Sequence, residues 1–270
     1  MPANIVIFSD LDGCLLNKQD YRFDDAIPCL QRLRNDGIPL ILASSKTESE
    51  MLTLAEELEI ERAPIICENG GAVLWRSVGV NSFEESKKIL GVERKNILRI
   101  LGSLKGKFEF ESFIDLGIEG VAQATNLPLE KAAMAFNRSS TEPLLWHDSE
   151  QNIDAFRQEI VDAGLTLTKG GRFWHVSGPT TKGKAMQYVM ENLSTLKPLS
   201  TASIAIGDSP IDQSMLDIAD YPVAIPQPDG VVLVQVSGKN SRIAKRPGAA
   251  GWADSVSEIL DELSASHNSV

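Results

Sequence analysis

The sequence predicts an α/β protein in which a parallel-sheet core is interrupted by an inserted α+β unit. Short apolar runs at Ile5–Phe8, Ile38–Ala43, Pro64–Cys67 and Thr201–Ile206 are rich in branched side chains. They are too short for buried helices and read as central parallel strands. Stretches of helical periodicity separate them, and right-handed crossovers then put the strands in one sheet. Between about residues 83 and 176 the pattern changes to amphipathic helices mixed with alternating strands, and the first style returns afterwards. A chain of 270 residues is long for one core, so two units are the natural expectation. The predicted division is a discontinuous core, 1–82 and 177–270, with residues 83–176 as the insert.

Each element follows from its own signals. Asp24 or Asp25 is placed to cap a helix running to about Asn35, whose Ile27, Leu30 and Leu33 lie at helical spacing and whose end is marked by Gly37. A second helix is expected over Glu48–Leu58, after Ser44-Ser45-Lys46-Thr47. The Gly70-Gly71 pair reads as a hairpin turn between Pro64–Cys67 and Ala72–Trp75, which makes Asn69 structural. In the insert, Ser86–Leu104 reads as a helix with a weak point at Gly91, and Phe108–Phe113 alternates like a half-buried strand. Helices over Leu129–Asn137 and Ser149–Ala163 and strands over Pro143–Trp146, Leu165–Thr168 and Gly171–Val176 complete it. The core resumes with a helix over Lys182–Leu193, the strand Thr201–Ile206, a helix over Gln213–Ala219, the strand Tyr221–Ile225 and a last helix over Ala253–Leu263.

Composition narrows the function. Hydrophobic residues are 43% of the chain, enough for a sizeable core, which excludes disorder. A net charge of −11 argues against a nucleic-acid or anionic-membrane partner, both of which need a basic surface. It leaves room for a phosphorylated small molecule, because a metal ion and a few local cations can invert the field of one cleft. Three cysteines, Cys14, Cys29 and Cys67, are odd in number and have no pairing spacing, so free thiols in a cytoplasm are expected. The residues before Ile5 contain no basic leader and no run reaches membrane-spanning length, which also points to a cytoplasmic location.

The chemistry gathers where the predicted strands end. Ile5–Ser9 runs into Asp10-Leu11-Asp12-Gly13, two acids at the C-terminal edge of a sheet, where open α/β folds bind ligands. Such a carboxylate can accept a phosphoryl group covalently, while the second acid protonates the leaving oxygen and later activates water. Close carboxylates repel, so a divalent cation is expected between them, and oxygen ligands beside phosphate suit Mg2+. The same tetrapeptide also occurs in ordinary turns and calcium loops, but no calcium-loop ligand series follows it here. Ser44 and Ser45 end the second strand just before a helix, suited to phosphate oxygens or to plain capping. The fourth strand ends in Gly207-Asp208-Ser209-Pro210-Ile211-Asp212, and Lys182 lies between these segments as a cation for phosphate and nucleophile. Each signal alone is weak; together and in this order they are strong.

This set resembles the haloacid dehalogenase (HAD) superfamily, whose signatures are D-x-D-G-[TV], a Ser or Thr after the second strand, a Lys, and G-D-x-x-x-D. The insert and Glu68-Asn69-Gly70-Gly71 resemble its Cof-like branch with a C2-type cap. Phe8–Gly13, Ser44–Thr47, Arg138–Pro143 and Gly171–Val176 together are similar to the mannosyl-3-phosphoglycerate phosphatase family along nearly the whole chain. The resemblance implies Asp10 as nucleophile and Asp12 as general acid/base. It implies Mg2+ held by Asp10, the Asp12 carbonyl and Asp208, with Asp212 supporting the site. Ser44, Ser45 and Lys182 would grip the phosphoryl group, Lys184 being the alternative lysine. Arg172, His175 and Arg138 would contact substrate from the cap. Arg172 and His175 are separated by three, which in a strand puts them on opposite faces. Trp174 is expected to pack in the core. The implied reaction is Mg2+-dependent hydrolysis of a mannosyl- or glucosyl-3-phosphoglycerate through an aspartyl phosphate, in compatible-solute synthesis. A broader sugar-phosphate phosphatase, a phosphomutase and a non-catalytic binding protein are the rival readings. Two departures stand out: Cys14 where Thr is usual, and Ile211 where Asn is common.

Overall fold

The computed structural model describes residues 4–60, 63–78, 83–170, 172–193 and 201–267. In chain order these form β1 (Asn4–Ser9), α1 (Ile27–Asp36), β2 (Leu40–Ala43), α2 (Glu48–Glu57), β3 (Ile65–Cys67), β4 (Ala72–Val78) and β5 (Phe83–Ile89). There follow α3 (Arg94–Leu104), β6 (Phe110–Ser112), α4 (Phe113–Thr125), α5 (Leu129–Phe136), β7 (Thr141–Trp146), α6 (Asn152–Asp162), β8 (Thr166–Lys169) and β9 (Trp174–Ser177). The chain ends with α7 (Lys182–Asn192), β10 (Thr201–Gly207), α8 (Gln213–Leu216), β11 (Tyr221–Ala224), β12 (Arg242–Ile243) and α9 (Gly248–His267).

An eight-stranded sheet has the order β12-β11-β10-β1-β2-β3-β4-β5. From β12 through β3 neighbours are parallel, while β4 and β5 are antiparallel. The expected β-α-β-α-β opening and the hairpin after Cys67 are both present. The sheet is buried on both faces, and β1 shows the two-residue alternation directly. Ile5 and Ile7 join one apolar cluster with Leu30, Met51 and Trp252, while Val6 and Phe8 join another with Met186, Val189 and Met215. α1, α2 and α9 therefore cover one face, and α7 and α8 the other. Trp252, fully buried, donates from Nε1 to Ser9 Oγ at 2.9 Å, and Ser9 Oγ donates to the Asp10 carbonyl at 2.6 Å. The last helix thus pins the end of the central strand.

A second, four-stranded sheet, β6-β7-β9-β8, is antiparallel throughout. With α3 and α6 it encloses its own core of Leu101, Phe110, Leu144, Phe156 and Val176. Trp174 packs against that core with Arg157 and Lys169 over its ring, as expected for a packing residue.

The structure corrects several local expectations. Ser86–Leu104 is not one helix: β5 runs to Ile89 and α3 begins at Arg94. Gly91, read as a weak point, lies in the break between them. The charged Ser86-Lys87-Lys88 segment has no apolar helical face, and pairing with β4 decides its conformation. Lysines on such a sheet edge also discourage further pairing. Asp24 and Asp25 do not cap α1; a 3-10 turn (Asp24–Ala26) leads into it without a side-chain cap, and Asp24 accepts from Arg22 Nε at 2.8 Å. α9 starts at Gly248, five residues before the expected Ala253. The two-residue β12 carries no periodic signal and was not predicted. Gly171, expected to open a strand, lies outside the described residues, and the described strand starts at Trp174. Among the described residues no helix is long and apolar enough to cross a membrane.

Candidate active site

The sheet register assembles the site. Ser9 at the end of β1 is in register with Ile206 of β10 and Leu42 of β2. Asp10, Asp208 and Ser44 therefore leave three adjacent strands at the same edge. All three are buried, and the Asp10 amide donates to Ile206 O at 3.0 Å. Two glycines permit the close approach. Gly13 has φ +91°, and a Cβ there would lie 2.5 Å from Asp208 Oδ2. Gly70 has φ +94°, and a Cβ there would lie 2.2 Å from the Thr181 carbonyl. The glycine pair is thus more than a hairpin turn: it admits the start of α7, which carries Lys182.

Lys182 is buried, and its Nζ donates to Asp10 Oδ1 and Asp212 Oδ1, each at 2.6 Å. Lys184, the alternative, is exposed and among the described residues its Nζ reaches only the Pro179 carbonyl, at 2.8 Å. The Asp212 carboxylate is fully engaged: its Oδ2 also accepts from the Asp208 amide, the Ser209 amide and Ser209 Oγ. Asp212 thereby holds the Asp208 loop and Lys182 in place. Burial raises the Asp10 pKa to about 7, reinforced by Asp212 and opposed by Lys182. Burial likewise raises Asp208, against a hydrogen bond from Gln227. Burial works to lower Lys182, but Asp10 and Asp212 outweigh it, so the ammonium is held above its ordinary pKa.

These groups fit a divalent cation. Carboxylate oxygens of Asp10 and Asp208 and the Cys14 sulfur lie within 4.8 Å of one another. Asp12 Oδ1 is buried without a hydrogen-bond partner. The Asp12 side chain is 34% exposed, and its Oδ2 meets Lys46 Nζ at 2.5 Å. Ser44 Oγ accepts from the Lys46 amide at 3.3 Å, while Thr47, not Ser44, caps α2 in a capping box with Glu50. Ser45 is exposed at the site's rim.

Three contacts at this edge escape the sequence reading. Lys46 faces Asp12, and its place in Ser-Ser-Lys-Thr was the available signal. Gln227 Nε2 donates to Asp208 Oδ2 at 2.8 Å and to the Asp208 carbonyl at 3.1 Å. Lys18 Nζ in turn donates to Gln227 Oε1 at 2.5 Å. Gln227 follows β11, the neighbour of β10, so its position beyond a strand end was a usable cue. Lys18 carried none.

The cap residues are placed differently. Arg138 donates to the Ser45 carbonyl at 2.8 Å and to Thr141 Oγ1 at 2.7 Å, with Glu68 at 3.8 Å. It therefore sits at the junction between the two sheets. Glu68 anchors that junction: fully buried, it accepts from the Ser139 amide, the Ser140 amide and Thr141 Oγ1 at 2.6, 3.1 and 2.5 Å. Thr47 Oγ1 adds a bond to the Met134 carbonyl at 2.9 Å. Arg172 lies before β9, is exposed and donates to the Ala124 carbonyl. His175 lies within β9, and burial, with Arg138 nearby, pushes its pKa down to about 4, so the ring is neutral. All three cysteines are buried and free, as expected.

The model of the haloacid dehalogenase-like hydrolase family matches residues 7–229. A glucosyl-3-phosphoglycerate/mannosyl-3-phosphoglycerate phosphatase from Persephonella marina is 36% identical over 274 aligned residues, covering 96% of this chain and 98% of that protein. A structure from Thermoplasma acidophilum superposes with TM-score 0.65 at 16% identity, covering 97% of this chain and 99% of its own. A haloacid dehalogenase-like hydrolase from Bacteroides thetaiotaomicron gives 0.63 at 17% identity, covering 96% and 99%. With its strand-end carboxylates, its buried lysine and an end-to-end relative, the chain belongs to the haloacid dehalogenase-like hydrolases, in the mannosyl-3-phosphoglycerate phosphatase family, and is a phosphoric monoester hydrolase.

Proposed function

We propose that the protein hydrolyses a glycosyl-3-phosphoglycerate, mannosyl or glucosyl, to the glycosylglycerate and phosphate, with Mg2+ as cofactor. The observation that carries the substrate class is the end-to-end identity with a relative named for those two esters. In this reading Asp10 attacks phosphorus and becomes an aspartyl phosphate. Asp12 gives a proton to the departing glycerate oxygen and then takes one from the attacking water. Lys182 faces the transferring group from below, and its ion pairs fix Asp10 for in-line attack. Ser44 and Ser45 supply donors at the neighbouring strand end. Asp10, the Asp12 carbonyl and Asp208 would hold Mg2+, with Asp212 acting through Lys182 and the Asp208 loop. The cation would offset phosphoryl charge that a cluster of acids would otherwise repel.

Arg172 and His175 belong to the cap side of this proposal, and Arg138 to the junction that seats the cap. The proposed division follows sheet membership: β5 pairs in the large sheet, so the cap unit is taken from about residue 90 to 176 instead of from 83. A cytoplasmic setting accords with the free thiols and the absence of a membrane-spanning helix among the described residues. A place in compatible-solute synthesis follows from the product.

The test is phosphate release from mannosyl- and glucosyl-3-phosphoglycerate beside mannose 6-phosphate, glucose 6-phosphate and 3-phosphoglycerate, with and without EDTA. A strong preference for the glycosylated esters, abolished by EDTA, is the expected result. Equal low rates on every ester would replace the substrate assignment with a broad sugar-phosphate phosphatase.

A further inference from the structure

Cys14 is fully buried in the turn after β1, and its thiol has no hydrogen-bond partner among the described residues. Its sulfur faces the carboxylates: one ligand atom each from Asp10, Cys14 and Asp208 lies within 4.8 Å of the others. Asp10 commits Oδ1 to Lys182, and Asp208 commits Oδ2 to Gln227. Among the described residues no donor reaches the other oxygen of either acid. Both acids are more than nine-tenths buried. An ion that binds a carboxylate oxygen at about 2.1 Å and a thiolate at about 2.3 Å separates those atoms by roughly 3.5 Å in tetrahedral geometry. In this structure the three atoms lie within 4.8 Å of one another, so binding draws them closer.

We propose that Asp10, Cys14 and Asp208 form a site for thiophilic divalent cations such as Zn2+, Cd2+ and Co2+, in which Cys14 supplies a thiolate. Mg2+ is hard and takes oxygen, so it leaves the sulfur unused, whereas softer cations recruit it. On binding, the S–H bond breaks, its proton passes to solvent, and the sulfur electron pair forms the metal–sulfur bond; nothing is oxidised or reduced. A soft cation seated this way takes the place proposed for Mg2+, so the two ions compete for Asp10 and Asp208. The inference rests on the proposed use of Asp10 and Asp208 as Mg2+ ligands. Its consequence is a built-in sensitivity to soft metals that a Thr at this position would not confer.

The experiment is titration of the metal-free full-length protein with Co2+ and Cd2+, followed by ultraviolet thiolate-to-metal charge-transfer absorption and by calorimetry. The expected result is a one-equivalent band in the wild type that excess Mg2+ displaces. Cys14→Ser should lose the band and bind Cd2+ at least about tenfold more weakly. Cys29 and Cys67 remain in that variant as internal controls for other thiols. Asp208→Asn, with Cys14 intact, should also weaken the band, so the test survives if Cys14→Ser does not fold. A band that persists in Cys14→Ser, or that Mg2+ cannot displace, overturns the proposal, as does its absence from the wild type. Failure of the phosphate-release assay with an intact band would remove the substrate assignment and leave this site standing.

Discussion

The two sheets of this molecule carry their polar residues in different ways. At the edge of the large sheet, polar side chains are collected by topology: neighbouring parallel strands end together, and Asp10, Ser44 and Asp208 arrive side by side. The charges there are buried and mutually dependent, with Lys182 shared by Asp10 and Asp212. On the cap side, Arg138 and Arg172 spend their guanidiniums on backbone carbonyls, and Glu68 collects donors from the cap strand β7 and the residues before it. One region concentrates buried, interdependent charge at a strand edge, and the other spends polar groups on seating one unit against the other.

The sharpest break of this contrast comes from Asp10→Asn. Phosphate release should fall about a thousandfold or more with the circular-dichroism spectrum unchanged; a variant with full turnover would remove Asp10 from its assigned role. Lys182→Met tests mutual dependence at the same edge. It leaves two buried carboxylates without their cation and should cost about 3–5 kcal/mol in chemical denaturation, as well as activity. Lys184→Met, exposed and remote from the acids, should stay within about 0.5 kcal/mol of the parent.

His175 offers a pH test of the cap side. Its folded pKa of about 4 lies below the unfolded value of about 6.5. Between these values the unfolded chain binds the extra proton, so stability is full above about pH 6.5 and falls as pH drops toward 4. The His175 share of that loss should reach up to about 3 kcal/mol, and His175→Gln should flatten the denaturation profile in that window. Glu68→Gln replaces an all-acceptor carboxylate with an amide facing buried donors. It should lower stability by about 2 kcal/mol and raise hydrogen exchange at Ser139 and Ser140 before that of β1. Among the residues that contact the candidate site, the smallest effect is expected at Gln227, which orients Asp208. Gln227→Leu should weaken Mn2+ binding, read by electron paramagnetic resonance, by roughly tenfold while leaving the melting transition close to the parent.

The core of the site was legible because its signals are local. An apolar run followed at once by Asp10-Leu11-Asp12-Gly13 states both a strand and its chemically pointed end, and the same holds for Ile206 running into Gly207-Asp208. Lys182 was distinguishable from Lys184 by motif resemblance, and the structure adds the buried ion pairs. The residues that escaped reading act across long sequence separations. Gln227 reaches Asp208, Lys18 reaches Gln227, and Glu68 reaches Ser139, and apart from Gln227's place beyond a strand end nothing near them in sequence announces the partner. Ser86–Lys88 illustrates the same limit for backbone: its composition permits a helix, and only the open edge of β4 makes it a strand.

Sequence by itself therefore determined the α/β class, the interrupted core, the buried strands and the acids at their ends, because apolar patterning and strand–turn grammar are short-range properties. Tertiary structure alone decided that Lys182 is shared between Asp10 and Asp212, where the large sheet stops, and that Cys14 looks into the carboxylate cluster. Those outcomes depend on how strands align in register and how closely glycines let segments approach, which are distances between parts of the chain that no local pattern encodes.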